Sequence, residues 1–236
     1  MKDVYMGMDL CRKNMQISYY IDGMDEPESI YQLNNTETYQ MPNVLFFAAD
    51  ENIWYAGNNV SSVRFSKNGK IVEDVVRGVG SDNRVVVNGV SYSYDELLLI
   101  LLKTQITDFL SRDQEYRLEK LTVTIEEYDK AVYDVLMKLR EELDITEDDF
   151  YVMSHQNAFF QYVMNQEEQI RSNSVSMFEY GPEGMHYYRI DKKRSGNGSI
   201  YYIKDEAIET ITYSMIFDNV DELDDTFAGI AKKKMR

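Results

Sequence analysis

The sequence predicts an α/β fold: a mixed sheet flanked by helices, followed by a second, incomplete copy of its opening. Three observations predict it. A strand-turn-strand is written twice, as VYMGMDLCRKNMQISYYID over residues 4–22 and as VSMFEYGPEGMHYYRID over residues 175–191. Each copy runs apolar into an acidic residue, Asp9 or Glu179, passes a short loop and returns with the period-2 alternation of a half-buried strand. Between the copies, a run of antiparallel strand signals gives way to helix and strand patterns in alternation, the order that builds an α/β layer. The polar segment RSNS that opens at Arg171 separates a first subdomain, residues 1–170, from the start of a second at 171–236.

The elements follow in order. Residues 5–10 and 15–22 form the first hairpin, with a third strand near 29–33. MPNVLFF, residues 41–47, reads as one apolar strand opened by proline, and residues 52–56 pair with it. Asn68-Gly69 and Asn88-Gly89 are type I′ turn signals, so residues 71–92 hold short strands. Ser93 with Glu96 three residues on is a capping box that opens a helix through Leu110. Residues 118–125 read as a buried strand, and Val132, Val135, Leu136, Leu139 and Leu143 recur on one helical face. FYVMS, residues 150–154, is a further strand, and 158–164 a further helix. After the second hairpin, SGNGS at 195–199 is a loop, 208–217 alternates as a strand and 220–230 is helical.

Composition bounds what this fold does. The 236 residues carry a formal charge of −16, which argues against nucleic acid or an anionic membrane as partner. The basic cluster at Lys232, Lys233 and Lys234 is no more than a helix end or a docking tail. One Cys and two His offer no recognisable Cys-based zinc site or Cys-His nucleophile. With no disulfide and no signal-like apolar run, the expected location is cytoplasmic. The longest apolar stretch, LLLILL at 97–102, is far short of a membrane span. No GxxxxGK[ST] or GxGxxG is present. The acidic pairs Glu126-Glu127, Asp148-Asp149 and Asp224-Asp225 fall at helix starts or loops, where the helix dipole accounts for them.

An acidic residue closing the first strand of a hairpin, repeated in both halves of a chain, resembles the phosphate-holding hairpins of the actin, sugar-kinase and heat-shock-chaperone ATPase superfamily, which has a ribonuclease-H-like fold. The layout is most similar to the chaperone nucleotide-binding domain. MPNVLFFAADENIWYAGNN at 41–59 stands where that family has T-P-S-Y-V-A-F and I-G-D-A-A. KLTVTIEEYDKAVYDVLMKLREELDI at 120–145 stands for its A-V-I-T-V-P strand and the helix after it, and SHQNAFFQY at 154–162 for its connecting helix. The likeness spans roughly residues 4–230, in order and pattern more than in identities.

The resemblance implies a nucleotide site, and the sequence departs from it. The first phosphate loop of active members reads D-x-G-[ST]-[ST]; this chain has DLCRKN. Asp9 is kept, in the place that positions a magnesium-bound water. Cys11 replaces the glycine, and a Cβ there hinders backbone approach to phosphate. Arg12 and Lys13 replace the hydroxyl pair, with Asn14 closing the loop. These cations either hold phosphate as side chains, Lys13 standing for the lysine of actins, or are ordinary basic residues on a turn, which is the weightier reading. In the second loop Gly181 and Gly184 survive, but Glu179 lengthens the acid, Pro182 removes an N–H and Glu183 repels phosphate. His155 stands where the family has its water-orienting Glu or Gln, and Ser61 where the chaperones carry a lysine.

Hydrolysis needs several placed charges at once, so the resemblance implies a degenerate member, a scaffold or regulatory module with a protein partner. The alternative is an ATP/ADP-Mg switch in which Asp9 handles the metal and Arg12 and Lys13 the phosphate. A sugar kinase of the same superfamily stands third, and filament formation has no residue-level support. Trp54, Tyr187, Tyr188, Tyr201 and Tyr202 are candidates for a partner surface, with sheet packing as the plainer account.

Overall fold

The computed structural model describes residues 1–30, 39–126, 128–165, 174–181, 184–195 and 198–209. The chain falls into two compact units, Met1–Tyr162 and Val163–Arg236.

The first unit is mixed α/β. Its opening strand, β1 (Lys2–Leu10), buries Val4, Met6, Met8 and Leu10 on alternate positions, as the period-2 pattern requires. It returns antiparallel as β2 (Asn14–Ile21), with Asp9 opposite Gln16 and Leu10 opposite Met15. Two short strands, β3 (Glu28–Ser29) and β4 (Met41–Pro42), both add to β2. The third strand is thus shorter than the pattern suggested, and residues 31–33 lie outside those described.

The run at 41–47 is not one strand. It breaks at Asn43 and Val44, and β5 (Leu45–Ala48) belongs to a different sheet, between β6 (Ile53–Ala56) and β7 (Gly69–Val72). Pro42 has no N–H to continue a ladder, and Asn43 turns its own N–H to the Lys13 carbonyl at 2.8 Å. The helices α1 (Asn58–Val63) and α2 (Val75–Gly78) and the hairpin β8 (Arg84–Val87) and β9 (Val90–Ser93) follow. Asn88 and Gly89 both take positive φ, 48° and 79°, the signature of a type I′ turn. Gly69 does not share it. A Cβ there would lie 2.1 Å from the Phe47 carbonyl and 2.5 Å from the Phe46 ring, so this glycine serves close approach rather than turn geometry.

The long helix α3 (Tyr94–Leu110) begins at the predicted capping box: Ser93 Oγ accepts from the Glu96 N–H, and Glu96 Oε2 accepts from the Ser93 N–H. It buries Leu97, Leu98, Leu101, Leu102, Ile106 and Phe109 in one core with both flanking layers. At roughly 1.5–3 kcal/mol for each fully buried large side chain, this helix is the main hydrophobic anchor of the unit. Then come β10 (Tyr116–Ile125), α4 (Lys130–Glu142), a 3₁₀ turn at Glu147–Asp149, β11 (Phe150–Ser154) and α5 (His155–Asn165). Asp129 caps α4 by accepting from the Ala131 and Val132 N–H groups, and Val132, Val135, Leu136 and Leu139 face the core. Ser154 Oγ accepts from the Asn157 N–H, which starts α5 at His155, three residues before the apolar pattern does. The main sheet runs β11-β10-β1-β2-β3, with β4 also on β2; β10 is parallel to β1, and β11 to β10.

In the second unit, β12 (Ser174–Gly181), β13 (Gly184–Ser195) and β14 (Gly198–Glu209) make an antiparallel meander in that order. Of the expected loop at 195–199, Ser195 and Gly198 are already paired as strand residues, and residues 196 and 197 lie outside those described. Tyr187 and Tyr188 are buried, at 1% and 5% exposure, so they are core and not partner surface. In the first unit Trp54 is half-buried, edge-on to both Phe47 and Tyr92. The expected strand beyond Glu209 and the helix at 220–230 lie outside the described residues. Among the described residues no helix is long and apolar enough to cross a membrane.

Candidate functional site

The parallel strands β1, β10 and β11 end together at Leu10, Ile125 and Ser154. In open α/β sheets the carboxyl edge is where ligands bind, because the loops leaving it converge there. On this edge Asp9, the 11–14 loop, Thr124, Glu126 and His155 meet.

Asp9 lies opposite Thr124 in register and accepts from its hydroxyl at 2.7 Å. On the same oxygen stands His155 Nε2, 2.5 Å away; the Asp9 side chain is 50% exposed and that of His155 18%. Burial pushes the Asp9 carboxyl up, but the hydrogen bond and charge of His155, with help from Thr124, outweigh it and hold the group below its ordinary value. Cys11 Sγ completes a cluster: ligand atoms of Asp9, Cys11 and His155 all lie within 4.8 Å of one another. Parallel pairing of β1 with β10 and of β10 with β11 carries His155, the first residue of α5, to the end of β1.

The loop itself is tied from two sides. The Cys11 N–H closes on the Asn14 carbonyl at 3.0 Å. Buried Asn43 donates from Nδ2 to the Cys11 carbonyl at 2.6 Å and from its N–H to the Lys13 carbonyl. Opposite, the Glu126 carboxylate accepts from the Arg12 N–H at 3.1 Å and pairs with its guanidinium at 3.5 Å. Glu126 therefore answers loop charge rather than a helix start, since α4 is capped by Asp129; Glu127 lies outside the described residues. Lys13 is exposed and forms no ion pair among the described residues, and Asn14 Nδ2 reaches Gln40 Oε1 at 3.5 Å. A cleft of about 260 Å³ opens beside this loop, walled by Leu10, Arg12, Ile125, Glu126, Asp129 and Val132.

The other loop expected to hold nucleotide belongs to the second unit. There Glu179 is opposite His186 in the ladder, and Gly181 opposite Gly184 at the hairpin end. Pro182 and Glu183 lie outside the described residues. Asp9, Arg12, Asn14 and His155 are thus gathered on one sheet edge of the first unit, while Glu179, Gly181 and Gly184 form a hairpin end of their own.

Residues 26–236 match the family described as "Family of unknown function (DUF5716) C-terminal", and the chain belongs to that family. His155, Thr124, Glu126 and Asn43 fall within the matched span, whereas Asp9, Cys11 and Arg12 precede it. No curated protein matches the chain.

Proposed function

We propose that this chain is a non-catalytic module on an actin- and heat-shock-chaperone-like, ribonuclease-H-like scaffold, acting through protein contacts in the cytoplasm rather than by nucleotide turnover. The scaffold reading is supported by an antiparallel hairpin followed by parallel strands that arrive through helices. One observation carries the non-catalytic part. Where an active loop turns backbone N–H groups and a cation to phosphate, the Arg12 N–H and guanidinium are already held by Glu126. A nucleotide would have to displace a carboxylate and then meet its charge. Asp9, the residue that would manage magnesium through water, is engaged by His155 and Thr124. Partner binding is favoured by exposed apolar side chains on the segment that carries the small sheets, Ile53, Phe65, Val86 and Val90.

Calorimetric titration of the folded chain with Mg-ATP and Mg-ADP tests the reading. No heat is expected with either. Micromolar binding would overturn it and establish the alternative, an ATP/ADP switch. That second reading is favoured by Lys13, which is exposed and has no carboxylate partner among the described residues. In a switch, alanine at both Arg12 and Lys13 abolishes nucleotide binding; in a scaffold it leaves partner binding intact.

A further inference from the structure

We propose that Asp9, Cys11 and His155 form a binding site for a single zinc-class divalent transition metal. The inference is independent of the nucleotide reading, because the donors are those of a soft-to-borderline ion and not of magnesium. Magnesium and calcium take oxygen ligands almost throughout, whereas a thiolate and an imidazole together select zinc and its neighbours. Of a single cysteine and two histidines in 236 residues, the fold brings the cysteine and one histidine to one carboxylate, across 144 positions of sequence between Cys11 and His155.

The spacing suits the ion. With zinc bonds of about 2.0–2.3 Å, ligand atoms of a tetrahedral site sit roughly 3.3–3.7 Å apart. Here the Asp9–His155 contact is 2.5 Å, and all three donors lie within 4.8 Å. Insertion of the ion asks the carboxylate and imidazole to part by about an ångström, with the thiol already within 4.8 Å of both, a movement within the range of side-chain rotation.

The surroundings are also those of a held site. Metal ligands are oriented by hydrogen bonds from outside the coordination sphere. Thr124 Oγ1 supplies one to the Asp9 carboxylate, and Asn43 Nδ2 fixes the Cys11 carbonyl and with it the path of the loop. Three protein ligands leave the fourth position open, and the half-exposed Asp9 puts that position at the solvent side. Bound metal would fasten the 11–14 loop to the start of α5 and present a water or a partner's donor at the sheet edge.

The test uses the full chain without a histidine tag, titrated with Zn²⁺ alone by calorimetry and with Co²⁺ as a spectroscopic probe. One equivalent per chain is expected, with a thiolate-to-cobalt charge-transfer band in the near ultraviolet. Cys11→Ser removes the band. Asp9→Asn and His155→Ala weaken binding at least about 100-fold, and Thr124→Val about 10- to 100-fold, the range seen for outer-shell partners. A folded wild-type chain that shows no such band with excess cobalt overturns the proposal. So does a band whose affinity is untouched by Asp9→Asn and His155→Ala. Should a variant fail to fold, the wild type still decides. Zinc must slow alkylation of the partly accessible Cys11 in step with occupancy, and an unchanged rate sinks the site.

Discussion

Glu126 is the residue on which the reading of the first loop turns. Its carboxylate is 22% exposed and the Arg12 side chain 63%, so the ion pair is a surface pair worth no more than about 1 kcal/mol. Its consequence for binding is larger than for stability, because it occupies the donors an anion would use. Glu126→Gln should therefore leave the thermal midpoint nearly unchanged while giving the chain a measurable affinity for ATP or inorganic phosphate. If calorimetry of the folded variant still records no heat, then Glu126 is not what closes the loop, and the Cβ of Cys11 becomes the better explanation. A second residue, Asp191, makes a pH prediction. Lys204 Nζ donates to it at 2.8 Å, the Ser174 hydroxyl at 2.7 Å, and Arg189 stands nearby. The Lys204 hydrogen bond leads in holding its pKa at about 2. Because the folded value lies below the unfolded one, near 3.9, the contribution is present above pH ~4 and lost as pH falls toward 2. Lys204→Met should lower stability at neutral pH and converge with wild type near pH 2 in acid unfolding followed by circular dichroism. A difference that persists at the acid end would deny the pairing.

At the scale of elements, local chemistry was legible and long-range ties were not. The capping box, the two hairpins, the β10 strand and the α4 face are written within a few residues each, so pattern alone finds them. The break at Asn43 is invisible from 41–47, because its cause is a loop 30 positions earlier. The Asp9–Cys11–His155 cluster is hidden for the same reason: only knowledge that β10 lies between β1 and β11 brings residue 155 to residue 9. Burial of Tyr187 and Tyr188 agrees with sheet packing, the plainer account of these tyrosines, although alternation alone says which residues share a face and not which face is covered. Two substitutions test the element level. Ser93→Ala removes the acceptor that begins α3 and should cost about 1 kcal/mol in urea unfolding. Gly69→Ala should cost more, roughly 1–3 kcal/mol, since its methyl meets a backbone carbonyl of β5 that cannot swing aside as a side chain would. Equal, negligible losses would mean that the β5–β7 approach is looser than 2.1 Å implies.

For the molecule as a whole, charge sets the largest testable term. Forty-one acidic against 25 basic residues leave −16, and a compact state that holds this much like charge repels itself. The opposing attraction comes from surface pairs such as Lys2–Asp113, Lys103–Glu142 and Arg117–Asp3, whose side chains are about a third to a half exposed. Each is an exposed, short-ranged pair that contributes little. The repulsion acts between many groups at longer distance, so screening removes more of it than of the pairs. Raising ionic strength from 0.01 M to 1 M shortens the screening length from about 30 Å to about 3 Å. The expected outcome is a thermal midpoint that climbs with sodium chloride over the first few hundred millimolar and then levels off. A midpoint that falls over that range would show instead that the paired charges, despite their exposure, outweigh the net excess. In that case the acidic surface would have to be organised into complementary patches rather than spread as a uniform field.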